Sequence, residues 1–139
     1  MLGECRKLFS EARKHIRAFP SLADVGAYQA ALEEYAEAQL FLGFLKTGEA
    51  IDLKDPSIHA EIYAAALSDA VGEAVRWARM RAAEGDGQAV RVAADYARQA
   101  VDFFLSLDVS GYLRTKSDQC KKHLHSVEMM LYDQSLRSL

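Results

Sequence analysis

"LEEYAEAQLF" at residues 32–41 and "LSDAVGEAVR" at residues 67–76 decide how this chain folds. Both read as α-helix, and both carry two acids among apolar residues where a core stripe is expected. Glu34 and Glu37 are three apart, Asp69 and Glu73 four apart. Either spacing puts both carboxylates on one face of a helix. Like charges held that close cost a helix about 0.2–0.5 kcal/mol per pair. An arrangement used twice calls for a reason.

On either side of these stretches the apolar periodicity stays helical nearly throughout. Leu2, Cys5, Phe9, Ala12 and Ile16 recur at intervals of three and four over residues 2–18, and Pro20 with Ser21 closes that helix. The pattern predicts a second helix from about Asp24 to Lys46, stopping near Gly48. "GEAIDLKDPSIH" at 48–59 is the longest non-periodic stretch, and Asp55-Pro56 marks a turn within it. A third helix from about Ser57 to Ala83 ends at "EGDG", a strong stop. A fourth covers about Gln88 to Leu107. The fifth runs from about Ser110 to the end, with Leu113, Ser117, Cys120, Leu124, Val127 and Leu131 as its stripe. There is no strand candidate and no internal repeat. The expectation is an all-α fold, a mostly antiparallel bundle of about five helices in one domain over residues 1–139.

Composition narrows the function classes. The chain has 139 residues, enough to bury a core without disulfides. A net charge of −3 gives no global signature of nucleic-acid binding, so such a role needs a local basic patch. Cys5 and Cys120 form no C-x-x-C and no zinc spacing, and they read as buried small hydrophobes in a reducing cytoplasm. No apolar run approaches the ~20 residues that span a bilayer, and the N-terminus turns charged too early for a secretory signal.

The four acids fall on the expected stripes. In the second helix the seam reads Ala27, Ala30, Glu34, Glu37, Phe41, Phe44; in the third it reads Ile62, Ala66, Asp69, Glu73, Arg76, Met80. Each buried ion without a partner carries several kcal/mol of desolvation penalty, so four clustered carboxylates need a cation. Carboxylates are the hard oxygen ligands of Mg²⁺ and Mn²⁺. Such an ion can activate water and polarise a phosphoryl oxygen. Spacing alone leaves the plainer alternative open, because E-x-x-E and D-x-x-x-E are common on solvated faces and Arg76 can pair with either acid of its helix.

The wording around the acids is recognisable. "LEEYAEAQLFLGFLKTGEA", "YAAALSDAVGEAVRWA", "EGD" and "LRTKSDQCKKHLHSVEMMLYDQSLRSL" occur in an order that resembles the translin superfamily. The likeness runs from about Tyr28 onward and is closer to translin-associated factor X and its archaeal relatives than to translin. It implies an all-α subunit that assembles into hollow homo-oligomers, octamers in archaeal members, enclosing RNA. It also implies a Mg²⁺-dependent endoribonuclease (Mn²⁺ being the alternative ion) acting on single-stranded RNA. Carried over residue by residue, the catalytic and metal-binding acids are Glu34 and Glu37 in "EYAE" and Asp69 and Glu73 in "DAVGE". Translin proper lacks the equivalent acids. The family usually has a further long helix before the segment that starts here, and no counterpart of the basic nuclear-targeting segment of eukaryotic factor X is seen, so the resemblance leads to the expectation of a prokaryotic or archaeal cytoplasmic protein.

RNA needs a basic surface. Arg6, Lys7, Arg13, Lys14 and Arg17 of the first helix are one candidate, and Arg114, Lys116, Lys121 and Lys122 of the last are another; solvated charged faces are the plainer reading of both. Tyr35 and Trp77 read as core rather than as base-stacking platforms. His15, His59, His123 and His125 carry little signal, and none belongs to an E-x-x-H pair of the di-iron kind. Two other functions compete with the nuclease: a non-catalytic RNA- or DNA-binding scaffold like translin, and an all-α nucleotide pyrophosphohydrolase of the MazG type. The MazG type uses E-x-x-E followed by E-x-x-D, which the second pair here does not match.

Overall fold

Local chemistry sets the helix ends. Gly48 closes one helix in the left-handed region at φ 75°, its N–H donating to the Phe44 carbonyl. Gly85, at φ 92°, turns the chain between two others, and Asp86 caps the next helix by accepting from the Ala89 N–H at 3.3 Å. A computed structural model describes residues 1–139 as five α-helices: α1 (Leu2–Ala18), α2 (Gly26–Thr47), α3 (Ala60–Ala83), α4 (Gly87–Leu105) and α5 (Gly111–Arg137). The all-α bundle expected from the periodicity is what forms, with helix starts within about three residues of those read from the sequence. Pro20, expected to close α1, opens a short 3-10 turn, Pro20–Asp24, before α2.

The centre of the bundle is α3, which packs against α2, α4 and α5. Small side chains make this possible. Ala64, Ala66, Ala70, Ala74 and Ala78 are fully buried, and across from them lie Ala93, Ala94, Ala97 and Ala100 of α4. An aromatic group fills the wider space: Phe44 meets Trp77 edge-on at 5.4 Å and lies 4.7 Å from Tyr96. Trp77 and Tyr35 are therefore core residues, as expected. No helix is long and apolar enough to cross a membrane.

Helices joined by short turns run antiparallel: α1 to α2, α3 to α4, and α4 to α5. The long connection 48–59 does something else. It doubles back along the bundle, with Ile51 against Gly43 and the Ile51 carbonyl accepting from the Tyr63 hydroxyl at 3.0 Å. As a result α2 and α3 run side by side in the same direction. Ala30 lies with Ile62 near their starts and Phe44 with Trp77 farther along.

The seams need correction at α2. Its buried face is Leu32, Tyr35, Ala36, Leu40, Gly43 and Phe44, not the line through Ala27, Ala30 and Glu34, all three of which are exposed. Alanines and leucines cover several faces of α2, so its periodicity does not single one out. The α3 line is buried at Ile62 and Ala66, half-buried at Asp69 and Glu73, and exposed at Arg76 and Met80.

Candidate functional site

The parallel course of α2 and α3 brings Glu37 level with Asp69 and Glu73, and these three acids are half-buried. Glu34, one turn before Glu37, lies exposed at the edge of an apolar cleft between α1 and α2. The four acids share one field. Desolvation first, then the negative charges of Asp69, Glu34 and Glu73, push the Glu37 carboxyl up to about 7, while Lys116 acts in the opposite direction. Of the four acids singled out from the sequence, Glu37, Asp69 and Glu73 lie half-buried between α2 and α3, while Glu34 stands exposed one turn away. The structure does not close them into a ligand shell: no three Asp, Glu, His or Cys side chains converge closely enough to hold a metal ion.

Lys116 of α5 is the reason at Asp69. Its ammonium donates to both Asp69 carboxylate oxygens, at 2.8 and 2.7 Å, and lies 3.3 Å from Glu33. Burial alone would lower the Lys116 pKa, but hydrogen bonding and charge from Asp69 outweigh it and the net direction is up. Tyr112 completes the group, with its hydroxyl donating to Glu33 at 2.6 Å and its ring 5.3 Å from the ammonium. Ser68 donates to the Lys116 carbonyl at 2.8 Å, so α5 is fastened to α3 at two neighbouring residues.

This placement removes Lys116 from the basic surface expected at the start of α5: its side chain is only 11% exposed. Arg13 is likewise engaged, held to Asp55 of the 48–59 connection at 2.6 Å. Arg6 is exposed and donates to the Tyr35 hydroxyl at 3.4 Å. Lys7, Lys14, Arg17 and Arg114 remain fully on the surface, and the exposed Lys121 is loosely paired with Asp118 at 3.8 Å.

Glu33, Tyr112 and His123 adjoin the acids although the sequence did not single them out. The His123 ring sits against Gly72, where a Cβ would come within 2.9 Å of Nε2. Glycine inside "DAVGE" thus lets α5 approach beside Asp69. Burial lowers the His123 pKa against the opposing pull of Asp69, which favours the neutral ring. A signal for this group does exist in the sequence: Tyr112, Lys116, Cys120 and His123 follow at intervals of four, four and three, the spacing of one helix edge.

Carboxylates match Mg²⁺ or Mn²⁺ in donor chemistry; here Glu37, Asp69 and Glu73 are half-buried and Glu34 is exposed. The donor types suit such an ion, but no three of them converge on one point, and Lys116 already supplies a cation at Asp69. Among known proteins, the model of the Translin family matches residues 4–138, nearly the whole chain. No curated protein matches it.

Proposed function

The chain belongs to the Translin family, and we propose that it is a metal-dependent endoribonuclease for single-stranded RNA, nearest in kind to translin-associated factor X. Proteins of the family bind nucleic acids and oligomerise, which supports the substrate class and a homo-oligomeric state. The observation that carries the catalytic part is the gathering of Glu34, Glu37, Asp69 and Glu73 from two helices around one partly desolvated carboxyl. A chain that only bound RNA would gain little from acids set this close together, because carboxylates repel phosphate.

In this reading the four acids hold Mg²⁺ or Mn²⁺, and the ion supplies charge stabilisation at the scissile phosphate and a more acidic water. The protein's own part is placement. Asp69 and Glu73 come from one face of α3, Glu37 from the facing side of α2, and Glu34 stands at the open rim beside α1. Arg6 on α1 is tied to Tyr35, the residue after Glu34. The exposed Lys7, Lys14 and Arg17 continue along the same helix, giving the RNA backbone a basic approach to the acids. Exposed Leu42 and Leu45 on the outward side of α2 are apolar surface of the kind that subunit contacts cover, consistent with a hollow homo-oligomer acting in the cytoplasm.

One observation favours a second reading, a non-catalytic nucleic-acid scaffold: Asp69 already has a cation in Lys116, and no three ligands converge. Cleavage of labelled single-stranded RNA separates the two, with Mg²⁺ or chelator, by the wild type and Glu37→Ala. The nuclease reading expects Mg²⁺-dependent cutting that falls by at least about a hundredfold in Glu37→Ala. RNA binding without Mg²⁺-dependent cutting by the wild type overturns it in favour of the scaffold.

A further inference from the structure

Where α3 turns into α4, the end of α5 borders the turn and leaves an open hollow of about 480 Å³. Small residues on its wall, Ala82, Gly85 and Gly87, make the room. The Gln134 amide rests so close to Gly87 that a Cβ there would come within 3.2 Å of its nitrogen. Most of the remaining lining is polar, chiefly Gln88, Arg91, Gln134 and Arg137. A smaller adjoining hollow of about 170 Å³ shares Gln134 and Arg137 and adds Arg79 and Asp133.

The chain has ten arginines, and carboxylates hold four of them, Arg13, Arg76, Arg81 and Arg98. Of the others, Arg79, Arg91 and Arg137 all line these two hollows. Acids stand close by but do not neutralise them. Arg81 claims Glu84 and Asp86 at 2.9 and 3.0 Å, and Asp133 enters no ion pair. The start of α4 is already served by Asp86, which accepts from the Ala89 N–H, so the positive charge here belongs to side chains. A guanidinium without a carboxylate keeps its fork of N–H donors for an anion, and phosphate fits that fork with two parallel bonds. Two hollows that share Arg137 suit a chain of phosphates better than one isolated group. By helix rise, the turn lies about 20 Å along α3 from Asp69.

We infer that these hollows are a second contact for single-stranded RNA, in which Arg91 and Arg137 bind backbone phosphates at the end of the bundle away from the acids. The inference rests on the nucleic-acid binding of the reading above and is independent of its metal. A strand gripped here is held on the subunit whether or not it is cut.

The test is fluorescence anisotropy of a labelled single-stranded RNA, with chelator present so that no metal-dependent cutting intervenes. Wild type is compared with the double variant Arg91→Gln/Arg137→Gln and with Lys46→Gln/Lys54→Gln, which removes two exposed charges elsewhere on the surface. The arginine variant is expected to bind about tenfold more weakly near physiological salt. Its plot of log affinity against log salt is expected to be shallower by about 1.4, about 0.7 for each phosphate no longer contacted. The lysine variant is expected to bind as the wild type does. Equal weakening in both variants overturns the inference, since net charge then accounts for it. Unchanged binding by the arginine variant also overturns it and leaves RNA binding itself standing. Calorimetry with uridine monophosphate separates a strand from a free phosphate compound: binding to wild type that is lost in the arginine variant, with RNA affinity unchanged, assigns the hollow to the small ligand and overturns the RNA contact. If the arginine variant does not fold, judged by circular dichroism, Arg137→Gln near the chain's end decides alone, with half the change in slope expected. No RNA binding by the wild type overturns the reading above, and the inference with it.

Discussion

Two helices of this chain carry equally one-sided apolar stripes and meet different fates. α4 buries Ala89, Val90, Ala93, Ala94, Tyr96, Ala97, Ala100, Val101 and Phe104. α1 buries no residue fully: Leu2, Cys5, Phe9, Ala12 and Ile16 are half-covered. The difference is in the neighbours. α4 lies against both α3 and α5, whereas α1 has little beyond α2 and the turn that leads to it. An open apolar cleft of about 470 Å³ separates α1 from α2, and Leu8 on its border is 65% exposed. A one-sided stripe says that a face favours cover, and the rest of the fold decides how much it receives.

The largest expected effect lies inside the bundle. Phe44→Ala empties the space between Trp77 and Tyr96 and is expected to cost about 3–5 kcal/mol in urea unfolding. Phe9→Ala on α1, whose ring meets Tyr28 and Tyr35 of α2, is expected to cost about 1 kcal/mol or less. Similar losses at the two positions would break the contrast. Hydrogen exchange sharpens it without mutation: α1 amides are expected to be protected at least about a hundredfold less than those of α3, because α1 opens locally while α3 opens with the whole fold. Equal protection would mean that α1 belongs to the cooperative core.

The smallest effect contrasts acids. Glu37 sits in the bundle's field and Glu11 on the exposed side of α1. With its carboxyl raised to about 7, folded Glu37 keeps a proton that the unfolded chain has already lost above the ordinary carboxylate range. Stability therefore falls as pH rises through that window, with no penalty below it and the full penalty above about 7. Glu37→Gln is expected to raise the melting temperature by about 2 °C at pH 8 and to change it little at pH 4. Partial solvation of the carboxyl keeps the effect modest. Glu11→Gln is expected to leave the melting temperature unchanged at both pH values. A divalent ion at the acids would erase the Glu37 difference at pH 8.

Much of this is legible in the sequence. Gly48 and the "EGDG" stop ended their helices where the structure ends them, because a left-handed residue or a side-chain cap is a local matter. The four acids were found by spacing and by their resemblance to family motifs. Their relation to the core was less legible: the α2 seam was drawn through Glu34, while the buried line runs through Leu32, Ala36 and Leu40, since alanine on every side blurs the periodicity. Lys116 was read as surface charge, and only the partner helices show that it is not. His123 shares a helix edge with Tyr112, Lys116 and Cys120 in the sequence, whereas Glu33 carries no signal until α5 meets α2.

The sequence by itself determined the all-α class, the number of helices and nearly all their ends, because helix formation and termination depend on contacts within a few residues. The tertiary structure decided that α2 runs parallel to α3, through a connection that doubles back along the bundle. It also decided that Glu37, Asp69, Glu73 and Lys116 share one place. Periodicity reports which face of a helix is apolar, and neither the direction of the neighbour nor the charge it brings is written in that pattern.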